Sequence, residues 1–181
     1  MDNNTIINIP QAVATSTIDN WNKACEAIEG VPGGYGDHPP HESDVRSCEV
    51  RFITIQQRKL YQDIFNNIFP YVDYYESTFH VNMYRKLEIQ HTTYNVGGHY
   101  TKHVDVNFTD AKVSRRKISL VLLLSDKTSY EGGELIISKK TFREDKGSLI
   151  MFRPTAIHSV ERVTAGVRKS LVMWVHGPDW R

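Results

Sequence analysis

The sequence predicts a mainly β protein with supporting helices, built as an antiparallel barrel or jelly roll. Three observations lead there. Helical periodicity is confined to the first 80 or so residues, and from about Phe79 onward short β-rich runs follow one another, separated by turn-prone pieces. No helical pattern alternates with those later strands, which argues against a parallel α/β sheet.

The elements follow in chain order. Residues 4 to 10 have the character of a short strand. Ser16 to Ile28 reads as a helix with Ser16 or Thr17 as its N-cap and Gly30 ending it. Residues 31 to 44, VPGGYGDHPPHESD, combine glycines, prolines and polar residues and predict a long loop placed like a lid. RSCEVRFITI, residues 46 to 55, has strand character. Gln56 to about Tyr75 carries Leu60, Ile64, Phe65, Ile68 and Phe69 at helical spacing, so a second helix should pack on a sheet. The β-rich half then runs LEIQHTTY, KISLVLLLS, GELIIS, GSLIMF, HSVERV and KSLVMWV, with NVGG, YEGG, EDKG and VTAG as intervening turns. The organisation expected is one domain over residues 1–181, with a helical lead-in over 1–30, a loop over 31–44 and a β core from about 79.

Composition bounds the function. The 181 residues suffice to bury a core without disulfides or a structural metal. Lys and Arg number 22 against 21 Asp and Glu, a net charge of +1, which supplies no global drive toward nucleic acid or an anionic membrane. Lys112, Arg115, Arg116 and Lys117 form a local basic cluster, a pattern that ordinarily marks a solvated loop face. The N-terminus lacks a signal-peptide pattern and no segment reaches the length of a membrane span, so a cytoplasmic protein without membrane contact is expected. Cys25 and Cys48 are too few and too far apart for a zinc knuckle or a disulfide scaffold, and reduced thiols are expected.

The chemistry lies in the β-rich half. His103-Val104-Asp105 sets two metal-ligand side chains at i and i+2, which share a face in extended chain. His158, after GSLIMFRPTAI, can be delivered by a later strand to the same barrel mouth. Two histidines and one carboxylate leave three coordination positions open, the arrangement used by non-haem iron(II) oxygenases. Arg168 follows His158 by ten residues on the next predicted strand. A buried arginine there needs an anionic partner, and a guanidinium suits a carboxylate because it binds bidentately.

Four segments carry a family resemblance: YNVGGHYTKHVD (94 to 105), SYEGGEL (129 to 135), KGSLIMFRPTAIHSV (146 to 160) and GVRKSLVMWV (166 to 175). In this order and spacing they resemble the iron(II)- and 2-oxoglutarate-dependent oxygenases, in particular the prolyl 4-hydroxylase-like, PKHD-type hydroxylases, over roughly three quarters of the chain, from about Arg46. The resemblance implies a double-stranded β-helix of eight main strands. It implies His103, Asp105 and His158 as iron ligands and Arg168 as the anchor of the 2-oxoglutarate 5-carboxylate. Tyr94 falls where the family has a tyrosine hydrogen-bonding that carboxylate, and Ser119 near a small hydroxyl position lining the same pocket. The cofactors implied are Fe(II), 2-oxoglutarate as cosubstrate and O₂, with ascorbate as a candidate reductant. Asp105, where Gly or Ala would admit halide, favours hydroxylation.

Three further positions resemble the family's substrate contacts. Tyr100 stands three residues before His103, Arg116 starts the strand after the H-x-D loop, and Trp174 comes six residues after Arg168. In prolyl hydroxylases such residues surround the target proline. Two aromatic side chains suit an apolar pyrrolidine ring, and an arginine can bind a peptide carbonyl. Arg46 resembles an arginine beside the substrate channel. The expected reaction is hydroxylation of an unactivated C–H bond, C4 of proline in a peptide or protein, with release of succinate and CO₂. Alternatives stay open. The same iron site could serve a free amino acid or another small molecule; a zinc hydrolase would leave Arg168 and Tyr94 unemployed; a nucleic-acid demethylase would want a second arginine where Trp174 stands; a non-catalytic jelly-roll binding module would not need the ligand residues. His38 and His41, in the 31–44 loop, read as exposed polar residues.

Overall fold

A computed structural model describes residues 6–33 and 44–180. In chain order these form strand β1 (Ile7–Ile9), helix α1 (Thr15–Glu26), β2 (Val31–Pro32), β3 (Arg46–Ser47), β4 (Glu49–Ile53) and, after a 3-10 turn, helix α2 (Arg58–Phe79). Then come β5 (Leu87–Tyr94), β6 (His99–His103), β7 (Arg116–Leu123), β8 (Tyr130–Gly132), β9 (Leu135–Ile137), β10 (Lys140–Phe142), β11 (Leu149–Phe152), β12 (His158–Val160), β13 (Val163–Gly166) and β14 (Arg168–His176). The large sheet runs β1-β11-β7-β14-β5-β4-β2, the smaller one β10-β9-β12-β6-β3, and β13 with β8 closes one end. Every described pairing is antiparallel. The two-sheet sandwich bears out the jelly roll.

The large sheet is covered on both faces, and the alternation of side chains across each strand explains its composition. On β14, Leu171, Met173 and Val175 join Ile118, Leu120 and Leu122 of β7, Leu87 and Ile89 of β5, and Leu149 and Met151 of β11 in a core shared with the helices. From α1 that core takes Ile18, Trp21 and Cys25, and from α2 Ile64, Ile68, Phe69, Val72 and Tyr75. The intervening residues face the small sheet, where Val121, Leu123, Ile150 and Phe152 pack with Leu135, Ile137 and Val160. Burial on both sides is why KISLVLLLS reads as an unbroken apolar run. Among the polar residues on the inner face, Gln90, Thr92, Ser119, Arg168 and Ser170 are buried, and buried polar side chains of this kind need partners.

Several local expectations are corrected. Helix α1 starts at Thr15 with Ala14 as N-cap and no side-chain cap, and it ends at Glu26, short of Gly30. Trp21 Nε1 donates to Asp63 Oδ2 of α2 at 2.7 Å, which ties the two helices together before the sheet is considered. Helix α2 continues to Phe79, with Pro70 inside it, and closes on His80 in the left-handed conformation. The expected strand 46 to 55 divides, β3 pairing with β6 of the small sheet and β4 with β5 of the large one. Val31–Pro32 pairs with β4 instead of belonging to a loop. YEGG and VTAG supply the paired strands β8 and β13 rather than two turns. HSVERV holds the whole of β12 and, after a two-residue break, the first residue of β13. Residues 34–43, most of the expected lid-like loop with His38 and His41, lie outside the described residues. No helix among the described residues is long and apolar enough to cross a membrane.

Candidate metal centre

His103 and His158 meet because β6 and β12 pair with these two residues in register. His103 Nδ1 lies 2.8 Å from the Thr101 carbonyl oxygen, and His158 Nδ1 lies 2.9 Å from that of Ala156. A carbonyl oxygen only accepts, so each Nδ1 carries a hydrogen, and each ring, when neutral, presents the Nε2 lone pair. Both lone pairs point toward Asp105: Nε2 of His103 is 3.6 Å from Oδ1 and Nε2 of His158 is 3.4 Å from Oδ2.

One detail of the expected geometry changes. His103 is the last residue of β6, and Asp105 lies in the bend after it, so the pair converges through a turn rather than through strand alternation. That bend is held by the Asp105 N–H donating to the Pro154 carbonyl at 2.8 Å and by Arg116 donating to the Asp105 carbonyl at 3.1 Å. The ligand atoms of all three residues lie within 4.8 Å of one another, and all three side chains are buried.

The electrostatics suit a cation. Burial opposes ionisation of Asp105, but the neighbouring His158 and His103 overcome it and hold the carboxyl well below the usual range. Burial likewise lowers the pKa of His103, whereas for His158 burial is outweighed by Asp105 and the pKa rises. Two imidazole lone pairs and a carboxylate, buried together and already oriented by backbone carbonyls, fit a divalent metal of the iron type.

Beside the triad is a cavity of about 220 Å³. It is lined by every residue singled out from the sequence except Ser119: the triad, Arg46, Tyr94, Tyr100, Arg116, Arg168 and Trp174. Ser119 does not line the cavity but lies beneath the triad, where its Oγ donates to Asp105 Oδ2 at 2.7 Å. The hydroxyl beside Arg168 is instead that of Ser170, which accepts from the guanidinium at 3.2 Å.

Arg168 is only 2% exposed, and no carboxylate among the described residues pairs with it. Its Nε is buried with no hydrogen-bond partner, and its guanidinium lies 5.4 Å from the centre of the Tyr94 ring. Gly133 lets the chain pass alongside, since a Cβ there would fall 3.0 Å from Arg168 Cδ, in a backbone conformation of positive φ. A buried, under-partnered guanidinium facing a metal triad fits a bound carboxylate.

The aromatic side chains complete the walls. Tyr100 stacks on His103 at 3.5 Å between ring centres, with the Arg46 guanidinium 4.5 Å from the Tyr100 ring. Arg116 lies 3.8 Å over the Trp174 ring. The reading of Arg116 as part of a solvated cluster does not hold: it is buried and forks onto Glu88, at 2.7 Å to Oε1 and 3.2 Å to Oε2, while His176 Nε2 lies 3.0 Å from Glu88 Oε2. Glu88 and Gln90, both on the inner face of β5, were not singled out from the sequence. Their only signal is a polar residue at an inward position of a strand whose register was not yet known. Cys25 and Cys48 are unpaired thiols, and burial pushes the Cys25 pKa up to about 12.

Comparison with known proteins agrees with this geometry. Residues 89–176 match the family model of the 2OG-Fe(II) oxygenase superfamily. A PKHD-type hydroxylase of Aliarcobacter butzleri is 38% identical over 91 residues, covering 45% of this chain and 40% of that protein. The match therefore spans about two fifths of the length of such a relative. Among solved structures, a prolyl-4-hydroxylase of Pseudomonas putida superposes with a TM-score of 0.78 at 17% identity, over 97% of this chain and 94% of that one. A prolyl hydroxylase of Trichoplax adhaerens, in complex with a peptide fragment of the hypoxia inducible factor oxygen degradation domain, has a TM-score of 0.72 at 15% identity, over 95% of this chain and 83% of that one. At these identities the structural likeness is one of fold.

Proposed function

We propose that this chain, whose residues 89–176 match the family model of the 2OG-Fe(II) oxygenase superfamily, hydroxylates an unactivated C–H bond, C4 of a proline within a peptide or protein. The observation that carries the oxygenase reading is Arg168, a buried guanidinium without a carboxylate partner among the described residues, lining the same cavity as His103, Asp105 and His158. His103, Asp105 and His158 would hold iron(II), and Arg168 with Tyr94 would hold the distal carboxylate of 2-oxoglutarate. When bound, iron, 2-oxoglutarate and O₂ supply the oxidation of the C–H bond, with succinate and CO₂ released.

The chain's own residues bind, orient and exclude water. Arg168 neutralises a carboxylate in a place too dry to leave it unpaired. Ser119 fixes the Asp105 carboxylate, and the Thr101 and Ala156 carbonyls fix the imidazole rings, so the donor set is oriented before a metal arrives. Tyr100 and Trp174 offer aromatic surface to a pyrrolidine ring. Arg116, stacked on Trp174 and locked by Glu88, would direct its remaining donor capacity toward a peptide carbonyl. The likeness in fold to prolyl hydroxylases, one of them holding a peptide, supports the same reading.

The test is mass spectrometry of proline-containing peptides incubated with the protein, iron(II), 2-oxoglutarate and O₂. The expected product has gained one oxygen atom at proline and is lost in His103→Ala. Succinate formation stimulated by a free amino acid and by no peptide would overturn the peptide reading.

A further inference from the structure

Next to the iron-site cavity is a second one of about 590 Å³. The strand registers relate the two. Phe52, Gln90, Val172 and Val121 stand in one row across β4, β5, β14 and β7. Residues registered in this way present their side chains to the same face of a sheet. The last three line the iron-site cavity, and Phe52 lines the second. In the row of Glu88 and Trp174 the division repeats, Trp174 lining the first cavity and Glu88 the second. The partition between the cavities is thus the ion pair of Arg116, on the iron side, with Glu88 on the other.

The second cavity is bordered by apolar side chains left in water. Phe52 is 49% exposed, Ile55 77% and Tyr84 48%, and all three line it. Single exposed apolar residues are ordinary, but three around one concavity adjoining a reaction pocket mark a place where apolar surface is to be covered. Two of the charges there are already committed, Glu88 to Arg116 and His176, and Arg115 to Asp179. What the cavity offers a ligand is therefore mainly apolar contact. A free amino acid would be accommodated in the iron-site cavity alone, whereas a peptide must leave it along the surface and cross such neighbouring ground.

We propose that this cavity receives an apolar side chain of the peptide substrate, on a residue close to the one presented to the metal centre, with Phe52, Ile55 and Tyr84 setting that preference. The inference rests on the peptide reading above. It makes the substrate a peptide with a large aliphatic or aromatic residue at one fixed offset from the hydroxylated position.

The experiment compares paired proline peptides differing at one position, Leu against Asp, with that position scanned along both sides of the proline. Hydroxylation is followed by mass spectrometry to give kcat/KM, and affinity is followed by fluorescence polarisation of labelled peptides. At one offset Leu should be favoured by about 10- to 100-fold, the effect of burying one large apolar side chain. Ile55→Ser and Phe52→Ser should each shrink that ratio severalfold, and since both side chains project into solvent, an unchanged melting temperature will show that the fold survives. Equal use of Leu and Asp peptides at every offset, or a preference that persists in both variants, would overturn the subsite while leaving peptide hydroxylation standing. Hydroxylation of no peptide would overturn both. If Ile55→Ser dissolved a dimer in the ultracentrifuge and left the preference intact, the surface would belong to a second copy of the chain and the proposal would fall.

Discussion

Arg168→Met should make the ligand-free protein more stable and at the same time nearly blind to 2-oxoglutarate. The guanidinium is 2% exposed, its Nε has no partner, and its Nη1 donates to the Ser170 hydroxyl at 3.2 Å. A buried charge without a counter-charge costs several kcal/mol, and an apolar side chain of similar length removes that cost. The expected gain is about 2 kcal/mol, or roughly 4–8 °C in melting temperature for a chain of this size. With 2-oxoglutarate the sign reverses. The cosubstrate's distal carboxylate would now be the unpaired buried charge, a loss of about 3–5 kcal/mol, which corresponds to about 10²–10³-fold or more in dissociation constant. Thermal melts of the protein loaded with manganese(II), with and without 2-oxoglutarate, read both effects, and calorimetric titration gives the affinities. A variant that melts lower than the parent without 2-oxoglutarate and binds it equally well would refute the reasoning, because it would mean that the guanidinium already has its partner within the protein.

Two further outcomes are expected. Ser119→Ala removes the donor to Asp105 Oδ2 and should weaken metal binding by about 10–100-fold with the fold unchanged; competition with a chelating dye measures it, and an affinity equal to the parent's would show that the contact orients nothing. His91 should make stability fall with acid. It is fully buried against α1, 3.0 Å from Asn22 Oδ1, and burial, reinforced by the nearby charges of Arg51 and Lys169 against that of Glu26, lowers its pKa from 6.5 to about 4. Between those values the unfolded chain takes up a proton that the folded one refuses, so stability is full above 6.5, declines through the window and levels off below 4. At ~1.4 kcal/mol for each pH unit, the loss is about 3 kcal/mol. Urea unfolding at pH 7 and pH 4 should show that loss in the parent and not in His91→Gln, and an equal acid loss in both would reassign it to other groups.

The fold class was legible in the sequence because the two faces of the large sheet impose composition on every strand, and KISLVLLLS or KSLVMWV admits few other readings. Partnership was less legible. Hydropathy places Arg46 to Ile55 in extended chain but does not say that Arg46–Ser47 hydrogen-bonds to one sheet and Glu49–Ile53 to the other. VTAG carries the residues of a turn, yet it pairs with Tyr130–Gly132 to close the sandwich. The convergence of His103, Asp105 and His158 was readable from residue type and spacing, whereas the bend that brings Asp105 back depends on the Pro154 carbonyl some fifty residues away in the chain. Ser119 was found by position, but only the packed structure tells that its hydroxyl meets Asp105.

The sharpest difference concerns charge. Arg115, Arg116 and Lys117 are consecutive in the sequence and look alike there, but the fold sends Arg115 to Asp179 at the surface, Arg116 inward to Glu88 and Trp174, and Lys117 onto the Trp180 ring. No spacing announces that the partner of Arg116 is a glutamate on the strand preceding the proposed metal ligands His103 and Asp105. Once it is known, the two buried arginines of the cavity separate by a physical criterion. Arg116 has its carboxylate within the chain, Glu88, so it needs no counter-charge from a ligand. Arg168 has none among the described residues, and a guanidinium that stays charged in a dry pocket leaves its counter-charge to be brought by whatever binds there. A dicarboxylate that reached from the proposed metal site to Arg168 would satisfy that requirement, and a monocarboxylate bound only at that site would not.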